Sequence, residues 1–320
     1  MLLLQILAGT LVASNMDARS VSIVDVASGA AIATVATGEG PHEVAISRDG
    51  RRAVVSIYGN RAAVGSSLAV IDLRTPTAPP RVIELGPGNR RPHGMAFLPD
   101  DTHLLVTGEQ AQRVLVVNVE TGAIDSTMST GQATTHMIAL TRDGRTAYTT
   151  NLVAMSVSRL DVATRTVSAP FMVGARIEGI AVTPDGREVW VGGNDTQRVF
   201  VLDGQTGVVR DTIVGFGFPY RIGITPDART AVVSDPGAEK IHLIDVATRR
   251  VRKVIEVARM EGGLPSSPQG VAISPDGRLA FVTLKAAAQV AVVDLASGTI
   301  LKTLRVGAGS DGVGVTAGHR

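Results

Sequence analysis

A segment of four short apolar runs separated by tight turns, residues 174–214, most constrains what this chain can fold into. It reads GARIEGIAVTPDGREVWVGGNDTQRVFVLDGQTGVVRDTIV. The runs are rich in Val and Ile and end at Asp-Gly or Thr-Gly, which is the pattern of β-strands joined by tight turns. The segment therefore predicts one four-stranded antiparallel sheet.

Both turn signals of this segment recur along the whole chain. The first turn is found at Asp49, Asp100, Asp143, Asp185, Asp227 and Asp276. The second turn is found at Asp25, Asp72, Asn118, Asp161, Asp203, Asp245 and Asp294. The basic period is about 42 residues, the length of one β-propeller blade. Asp in such turns caps backbone amides, so these carboxylates are interpreted as structural.

The two chain ends predict that one blade is shared between them. The C-terminal SDGVGVTAGHR aligns with PQGVAISPDGR of the preceding repeat, and TLVASN, which begins at Thr10, continues that alignment. The prediction is an all-β, seven-bladed β-propeller with four antiparallel strands per blade, in which the N- and C-terminal strands close the last blade. Residues 10–320 form a single domain, and residues 1–9 are interpreted as a leader remnant or an extra strand.

Composition narrows the classes of partner. The chain has no Cys, which excludes disulfides, thiolate metal sites and a cysteine nucleophile. Its net charge is +2, the arginines are spread over every repeat, and aromatics make up only 3%, so nucleic acid is an unfavoured partner. The apolar start MLLLQILAG is too short to span a membrane and lacks an intact signal peptide.

One register position carries the residues best suited to chemistry. Seven residues before each first-turn Asp, at the start of each innermost strand, the sequence has His42, His93, His136, Glu178, Tyr220 and Gln269, and Asp311 takes this place in the closing blade. Because innermost strands surround the channel, these side chains are predicted to form a ring near one channel mouth. Two longer loops, Gly59–Ser67 and Arg259–Ser267, are predicted on the same face.

This ring predicts a metal centre of His42, His93, His136 and Glu178, because three imidazoles and a carboxylate suit Zn²⁺, Fe²⁺ or Mn²⁺. Arg221 would bind an anionic substrate group. Glu109 and Tyr220, with Arg221, are the predicted catalytic groups; Gln269 and Asp311, again with Arg221, are the predicted substrate contacts. Two alternatives stay open: histidines that only hydrogen-bond a neighbouring blade, and metal-free ligand binding.

Other sites are disfavoured. The sequence has no nucleophile elbow, HExxH, phosphate loop or EF-hand loop, so no nucleotide cofactor is expected. His103, His242 and His319 do not fall in the ring register and are interpreted as structural.

The repeats HLLVTGEQAQRVLVVNVETG and LAFVTLKAAAQVAVVDLASG resemble the YVTN repeat of YncE-like seven-bladed propellers. The resemblance covers about residues 10–320. It implies the propeller fold and a periplasmic or secreted location, and it is compatible with several activities that include lactone hydrolysis and pure binding.

The leading functional hypothesis is a small-molecule enzyme with its site at the channel mouth, acting by metal-assisted hydrolysis of the lactonase kind or by a lyase or isomerase step. The alternative is a non-catalytic, exported propeller that binds a small ligand or a protein on the same rim.

Overall fold

The computed structural model describes residues 8–317 and confirms an all-β, seven-bladed propeller of antiparallel four-stranded blades. Residues 1–7 and 318–320 lie outside the described part, so the leader interpretation for residues 1–7 and the structural interpretation of His319 fall outside it as well. Within residues 8–317 no helix has the length and apolar character needed to cross a membrane. One 3₁₀ turn is found at Glu261–Gly263.

The strands follow the repeat in chain order. Three strands open the chain: β1 Thr10–Asn15, β2 Ser20–Asp25 and β3 Ala31–Ala36. Blade 1 contains β4 Pro41–Ile46, β5 Arg52–Gly59, β6 Val64–Asp72 and β7 Arg81–Glu84. Blade 2 contains β8 Pro92–Phe97, β9 His103–Gly108, β10 Arg113–Asn118 and β11 Ile124–Ser129. Blade 3 contains β12 Thr135–Leu140, β13 Thr146–Asn151, β14 Ser156–Asp161, β15 Thr166–Val167 and β16 Phe171–Met172.

The remaining blades repeat the same order. Blade 4 contains β17 Ile177–Val182, β18 Glu188–Gly193, β19 Arg198–Asp203 and β20 Val209–Ile213. Blade 5 contains β21 Ile222–Ile224, β22 Thr230–Asp235, β23 Lys240–Asp245 and β24 Arg250–Glu256. Blade 6 contains β25 Pro268–Ile273, β26 Leu279–Leu284, β27 Gln289–Asp294 and β28 Thr299–Arg305. Blade 7 joins β29 Ser310–Val315 to β1, β2 and β3.

The closing blade confirms the prediction made from the chain ends. Strand β29 pairs with β1, with Leu11 opposite Val315 and Ala13 opposite Val313. Each innermost strand contacts the innermost strands of its two neighbours, and β29 contacts β4 on one side and β25 on the other. The seven sheets therefore form a closed ring with the innermost strands around the axis.

The core lies between adjacent blades and consists mainly of Val, Leu, Ile and Ala. Trp190, the largest fully buried side chain, packs with Val199 and Ile213 of its own blade and with Ala231 and Ile244 of blade 5. Blades thus bury their faces against each other, as a repeat architecture requires.

Three local features differ from the regular repeat expected. The fourth strand of blade 3 is split into β15 and β16 around Pro170, which has no N–H to give to a ladder. Strand β21 begins only after Pro219, so the ring position of blade 5 precedes its strand. Most of the predicted loop Gly59–Ser67 is hairpin, since β5 extends to Gly59 and β6 begins at Val64.

Candidate functional site

A β-bulge at the start of the innermost strands directs the ring residues towards the channel. In blade 1 the register shifts between Pro41 and Val44, so that His42 and Glu43 together oppose Ser56 alone. Blades 2, 3, 4 and 6 have the same shift. A bulge changes the direction of side chains that strict alternation would place on opposite faces. Two consecutive residues can therefore reach the same centre.

A belt of hydroxyl groups on the second strands fixes this geometry. In most blades the residue opposite the bulge is Ser or Thr. Its hydroxyl accepts a hydrogen bond from the N–H of the residue that follows the ring position in the same blade, or donates to the carbonyl of the ring residue in the next blade. Four of these hydroxyls do both: Ser14, Thr150, Ser234 and Thr283. In blade 4 the position is Gly192, where a Cβ would lie 2.4 Å from the Pro219 carbonyl oxygen. The belt thus ties the ring positions of His42, His136, Gln269 and Asp311 each to two blades.

The three ring histidines converge. The ring centroids of His42 and His93 are 4.4 Å apart, and those of His93 and His136 are 3.7 Å apart. All three side chains are buried. Tyr58 packs edge-on against His42 and His93, with centroid distances of 5.2 and 5.4 Å.

A guanidinium crosses the channel. Arg221 of blade 5 donates from Nη2 to Oε1 of Glu43 in blade 1 at 2.6 Å, although these blades are not neighbours in the ring. Its Nη1 lies 3.6 Å from Glu178 Oε1, and the guanidinium lies 4.1 Å over the ring of Tyr220. Tyr220 in turn stacks on Phe218 at 6.2 Å.

His136 lies between two carboxylates. Its Nε2 is hydrogen-bonded to Glu178 Oε1 at 3.2 Å, and its Nδ1 is 3.5 Å from Glu109 Oε1. Asn194 donates to the second oxygen of Glu178 at 3.3 Å. The predicted ring residues His136 and Glu178 are thus in direct contact, together with the predicted catalytic residue Glu109.

The opposite side of the ring holds the predicted substrate contacts. Asp311, which is 1% exposed, accepts a hydrogen bond from Lys285 Nζ at 2.7 Å through Oδ2, and its Oδ1 is buried without a partner. Gln269 donates to Ser267 Oγ at 3.1 Å, and its Oε1 is also buried without a partner. Both side chains therefore retain an acceptor for a ligand or water.

One group of residues has the spacing of metal ligands. Within residues 8–317, His42, Glu43 and His93 each offer a ligand atom, and these atoms lie within 4.8 Å of one another. Glu43 Oε1 is 3.5 Å from His42 Nδ1 and 4.0 Å from His93 Nδ1. Both nitrogens are buried without a hydrogen-bond partner. Such unpartnered buried nitrogens are uncommon in folded proteins and call for a water or an ion.

The histidines have different proton affinities. Burial, together with the nearby charges of His136, His42 and Arg221, holds the pKa of His93 well below its ordinary value. Burial also acts to lower the pKa of His136, but its close contacts with the carboxylates of Glu109 and Glu178 outweigh burial and raise it. His93 is therefore a neutral imidazole at neutral pH, and neutral imidazole is the form that ligates metals.

The carboxylates at the mouth are ionised. Burial opposes ionisation of Glu43, but the Arg221 charge and the nearby His42 ring lower its pKa. For Glu178 and Glu109 burial is likewise outweighed, chiefly by their close contacts with His136, so that both pKa values are lowered. Three negative charges thus lie beside the histidines against the one permanent positive charge of Arg221, which leaves room for a bound cation.

A cavity of about 390 Å³ opens beside the histidines. Tyr58, Arg91 and Glu109 line it, and the Arg91 guanidinium lies 4.5 Å over the Tyr58 ring. Burial and the neighbouring Glu109 raise the pKa of Tyr58 to about 12, so its hydroxyl stays protonated. This vestibule adjoins the cluster through Tyr58, which packs against His93, and Glu109, which contacts His136.

Sequence reasoning missed Glu43, Tyr58, Asn194 and Lys285. Glu43 directly follows a ring histidine, and the alternation of a regular strand would direct it away. The other three lie sixteen residues after the ring residue of their own blade, as Asn194 lies sixteen residues after Glu178. Glu109 occupies this register too, so the same count would have found the whole set.

Two further histidines are placed away from the cluster. His103 lies on the opposite face between Asp100 and Asp125, at 2.7 and 2.9 Å. His242 is buried in blade 5 and pairs with Asp235 at 3.2 Å.

Comparison with known proteins shows the fold. No protein-family model and no curated protein matches the sequence. A hydrazine synthase chain from Kuenenia stuttgartiensis has a TM-score of 0.74 at 18% identity, covering 89% of this chain and 92% of that chain. A protein of unknown function from Desulfotomaculum acetoxidans DSM 771 has a TM-score of 0.78 at 15% identity, covering 97% and 99%. These likenesses establish the propeller and carry no activity, and membership of the YVTN family stays a prediction.

Proposed function

We propose that the channel mouth binds a divalent transition metal through His42, Glu43 and His93, and that the protein acts there on a small anionic molecule. The observation that carries this proposal is the pair of buried, unpartnered imidazole nitrogens next to an ionised carboxylate. Ligands about 2.1 Å from a tetrahedral ion lie about 3.4 Å apart, close to the separations of 3.5 and 4.0 Å at Glu43 Oε1. Zn²⁺, Fe²⁺ and Mn²⁺ suit this donor set.

The pair formed by His136 and Glu178 extends the site. His136 and Glu178 were predicted as further ligands, and they lie next to His93 and Arg221. In the metal-bound protein they lie next to the metal ligands and accept and hold protons, because His136 contacts both Glu109 and Glu178.

The reaction class is hydrolysis or a related lyase or isomerase step. A divalent metal supplies a polarised water or a polarised carbonyl when it is bound. Arg221 has Nε and Nη1 buried without partners, so it can bind a carboxylate or another anionic group of the substrate. Glu109, at the vestibule, takes or returns a proton through His136. Tyr220 holds the Arg221 guanidinium in place.

A second candidate, a scaffold that docks a protein on the same rim, is favoured by exposed apolar side chains on the loops of that face. They are Val153, Met155, Met172, Val214, Phe218 and Leu264. Apolar groups on one rim are typical of interaction surfaces when they are contiguous. Under this candidate the histidine cluster is a structural element and needs no metal.

Elemental analysis of protein purified without chelators tests the proposal. We expect near-stoichiometric metal, or stoichiometric uptake when Zn²⁺, Mn²⁺ or anaerobic Fe²⁺ is added to the metal-free chain. His93→Gln keeps most of the side-chain volume and should weaken metal affinity by roughly 100-fold or more, as loss of a ligand does. His103→Gln removes an imidazole on the opposite face and serves as the matched control.

Hydrolysis of a carboxylated aryl ester, followed with and without metal, tests the reaction class. Metal-dependent turnover that His93→Gln abolishes and His103→Gln retains would support it. Wild-type protein that binds none of the three ions would overturn the metal site. Metal uptake without turnover of such anionic esters would overturn the hydrolytic step and leave a binding function.

A further inference from the structure

A cavity of about 610 Å³ lies on the face opposite the channel mouth, between blades 3 and 4. Its walls are the first turns of both blades, the second turn of blade 4, and the side chains of Tyr148 and Arg159. Small-molecule sites commonly have volumes of about 300–1,000 Å³. The size therefore fits a small ligand.

The aspartates that line this cavity are already engaged. Asp143 Oδ1 accepts from Thr141 Oγ1 and Arg145 N, and Asp185 Oδ1 accepts from Thr183 Oγ1 and Arg187 N. Asp203 accepts from the amides of its own turn and pairs with Arg210. These carboxylates hold their own turns together, and the three of them balance only three of the four arginines that line the cavity.

Two of the four lining arginines have no carboxylate partner. Arg187 pairs with Asp185 at 3.4 Å and Arg210 with Asp203. Across residues 8–317, neither Arg142 nor Arg159 takes part in an ion pair, although both line the cavity. Arg159 stands opposite Tyr148 in the sheet, and its Nε is buried without a hydrogen-bond partner. The wall thus carries an excess of positive charge and an unused donor.

The equivalent groove between blades 4 and 5 is filled differently. There Trp190 takes the place of Tyr148, and its Nε1 donates to Glu188 Oε2 at 3.0 Å. Arg249 of blade 5 enters the groove and pairs with Glu188 at 2.5 Å and with Asp211 at 3.5 Å. That groove is closed by an internal ion pair.

Each part of that closure is missing between blades 3 and 4. The position of Glu188, the first residue of the second strand, is Thr146 in blade 3. The position of Arg249, four residues after the second-turn Asp, is Gly207 in blade 4. A Cβ on Gly207 would lie 2.1 Å from Phe171, so no side chain can enter from there. The groove is left open with two unpaired guanidinium groups.

We propose that this cavity binds a phosphate group, either as the free ion or on a small molecule, through Arg142 and Arg159 with the Tyr148 ring as its apolar wall. Guanidinium groups are the preferred protein partners of phosphate because their planar donors match its oxygens and their charge is permanent. The site lies on the face away from the histidine cluster and does not depend on the function proposed for that cluster.

Calorimetric titration with inorganic phosphate and with phenyl phosphate, at matched ionic strength in chloride, tests the site. We expect wild-type protein to bind, and tighter binding of phenyl phosphate would identify the ligand as a phosphorylated molecule instead of the free ion. Thr146→Glu introduces a carboxylate at the position that Glu188 holds in blade 4, and its negative charge should weaken phosphate binding at least 10-fold. Thr230→Glu places the same charge at the same register of blade 5 and should leave binding unchanged.

A second pair of variants covers the case in which Thr146→Glu fails to fold. Arg159→Gln should weaken phosphate binding about 10-fold, whereas Arg198→Gln, at an exposed position outside the cavity, should not. Melting temperatures of all variants would show that they are folded. Wild-type protein that binds neither probe, or equal weakening by Arg159→Gln and Arg198→Gln, would overturn the site.

Discussion

Two buried clusters of imidazole and carboxylate in this molecule differ in how completely their polar atoms are paired. In blade 5, Asp235 is 0% exposed and accepts the N–H groups of Gly217, Phe218 and Ala238 at 2.7–3.1 Å as well as Nε2 of His242 at 3.2 Å. No buried side-chain atom of this Asp–His pair is left without a partner in the described chain. The pair holds together the loop that leads into blade 5.

The channel mouth has the same kinds of side chain but leaves many atoms unpaired. The buried atoms without partners there are His42 Nδ1, His93 Nδ1, His136 Nδ1, Glu109 Oε2, Asn194 Oδ1, Arg221 Nε and Nη1, Gln269 Oε1 and Asp311 Oδ1. Buried polar groups are normally satisfied because an orphaned one costs about 1–3 kcal/mol. A fully paired cluster is explained by folding alone, whereas this one needs ligands or ordered water.

The largest expected effect on stability belongs to the paired cluster. Asp235→Ala removes the acceptor of three backbone amides and of His242, and should lower the free energy of unfolding by about 4 kcal/mol. Urea denaturation would measure it. His93→Gln in metal-free protein should cost less than about 1.5 kcal/mol, since volume is kept and no satisfied network is broken. A larger loss of free energy of unfolding for His93→Gln than for Asp235→Ala would contradict the distinction between the two clusters.

Arg221→Met should lower the free energy of unfolding of metal-free protein by about 3 kcal/mol, because Glu43 and Glu178 lose their shared cation in a buried site. Saturating Zn²⁺ or Mn²⁺ should restore part of this loss by supplying another positive charge. Urea denaturation with and without metal would measure both quantities.

Arg249→Met is the matched control for Arg221→Met. It also removes a guanidinium that pairs with two carboxylates, Glu188 and Asp211, but it lies in the closed groove between blades 4 and 5. Its destabilisation should be the same with and without metal. An equal lack of metal dependence for Arg221→Met would count against a cation site at the channel mouth.

The fold could be read from the sequence because it is repeated. Turn signals at Asp49, Asp100 and their equivalents recur with the period of a blade, and the aligned chain ends gave the closing blade. The same register brought His42, His93 and His136 to one level of the channel. Local pattern was sufficient for each of these steps.

Contacts that cross the repeat could not be read in this way. Glu43 follows His42, and strand alternation would separate the two side chains, yet the bulge opposite Ser56 lets both reach the cluster. The pairing of Glu43 with Arg221 joins blades on different sides of the channel, at a sequence distance that no period encodes. Such contacts depend on which side chains meet across the closed ring, and only the three-dimensional structure shows that.

The third imidazole–carboxylate cluster, His103 with Asp100 and Asp125, lies at the surface and should show the smallest effect. The hydrogen bond to Asp100 and then that to Asp125 outweigh partial burial and raise the pKa of His103 above its ordinary value of 6.5. A raised pKa in the folded state adds stability that is complete below about pH 6.5 and is lost as the pH rises through the folded pKa. Solvent screens these exposed groups, so the gain is at most about 1 kcal/mol.

The difference in free energy of unfolding between wild-type and His103→Gln should therefore be larger at about pH 5.5 than at about pH 9, and 1 M NaCl should reduce it. The same difference at both pH values in urea denaturation would mean that His103 contributes packing only. The surface cluster would then differ from the two buried clusters in having no electrostatic contribution at all.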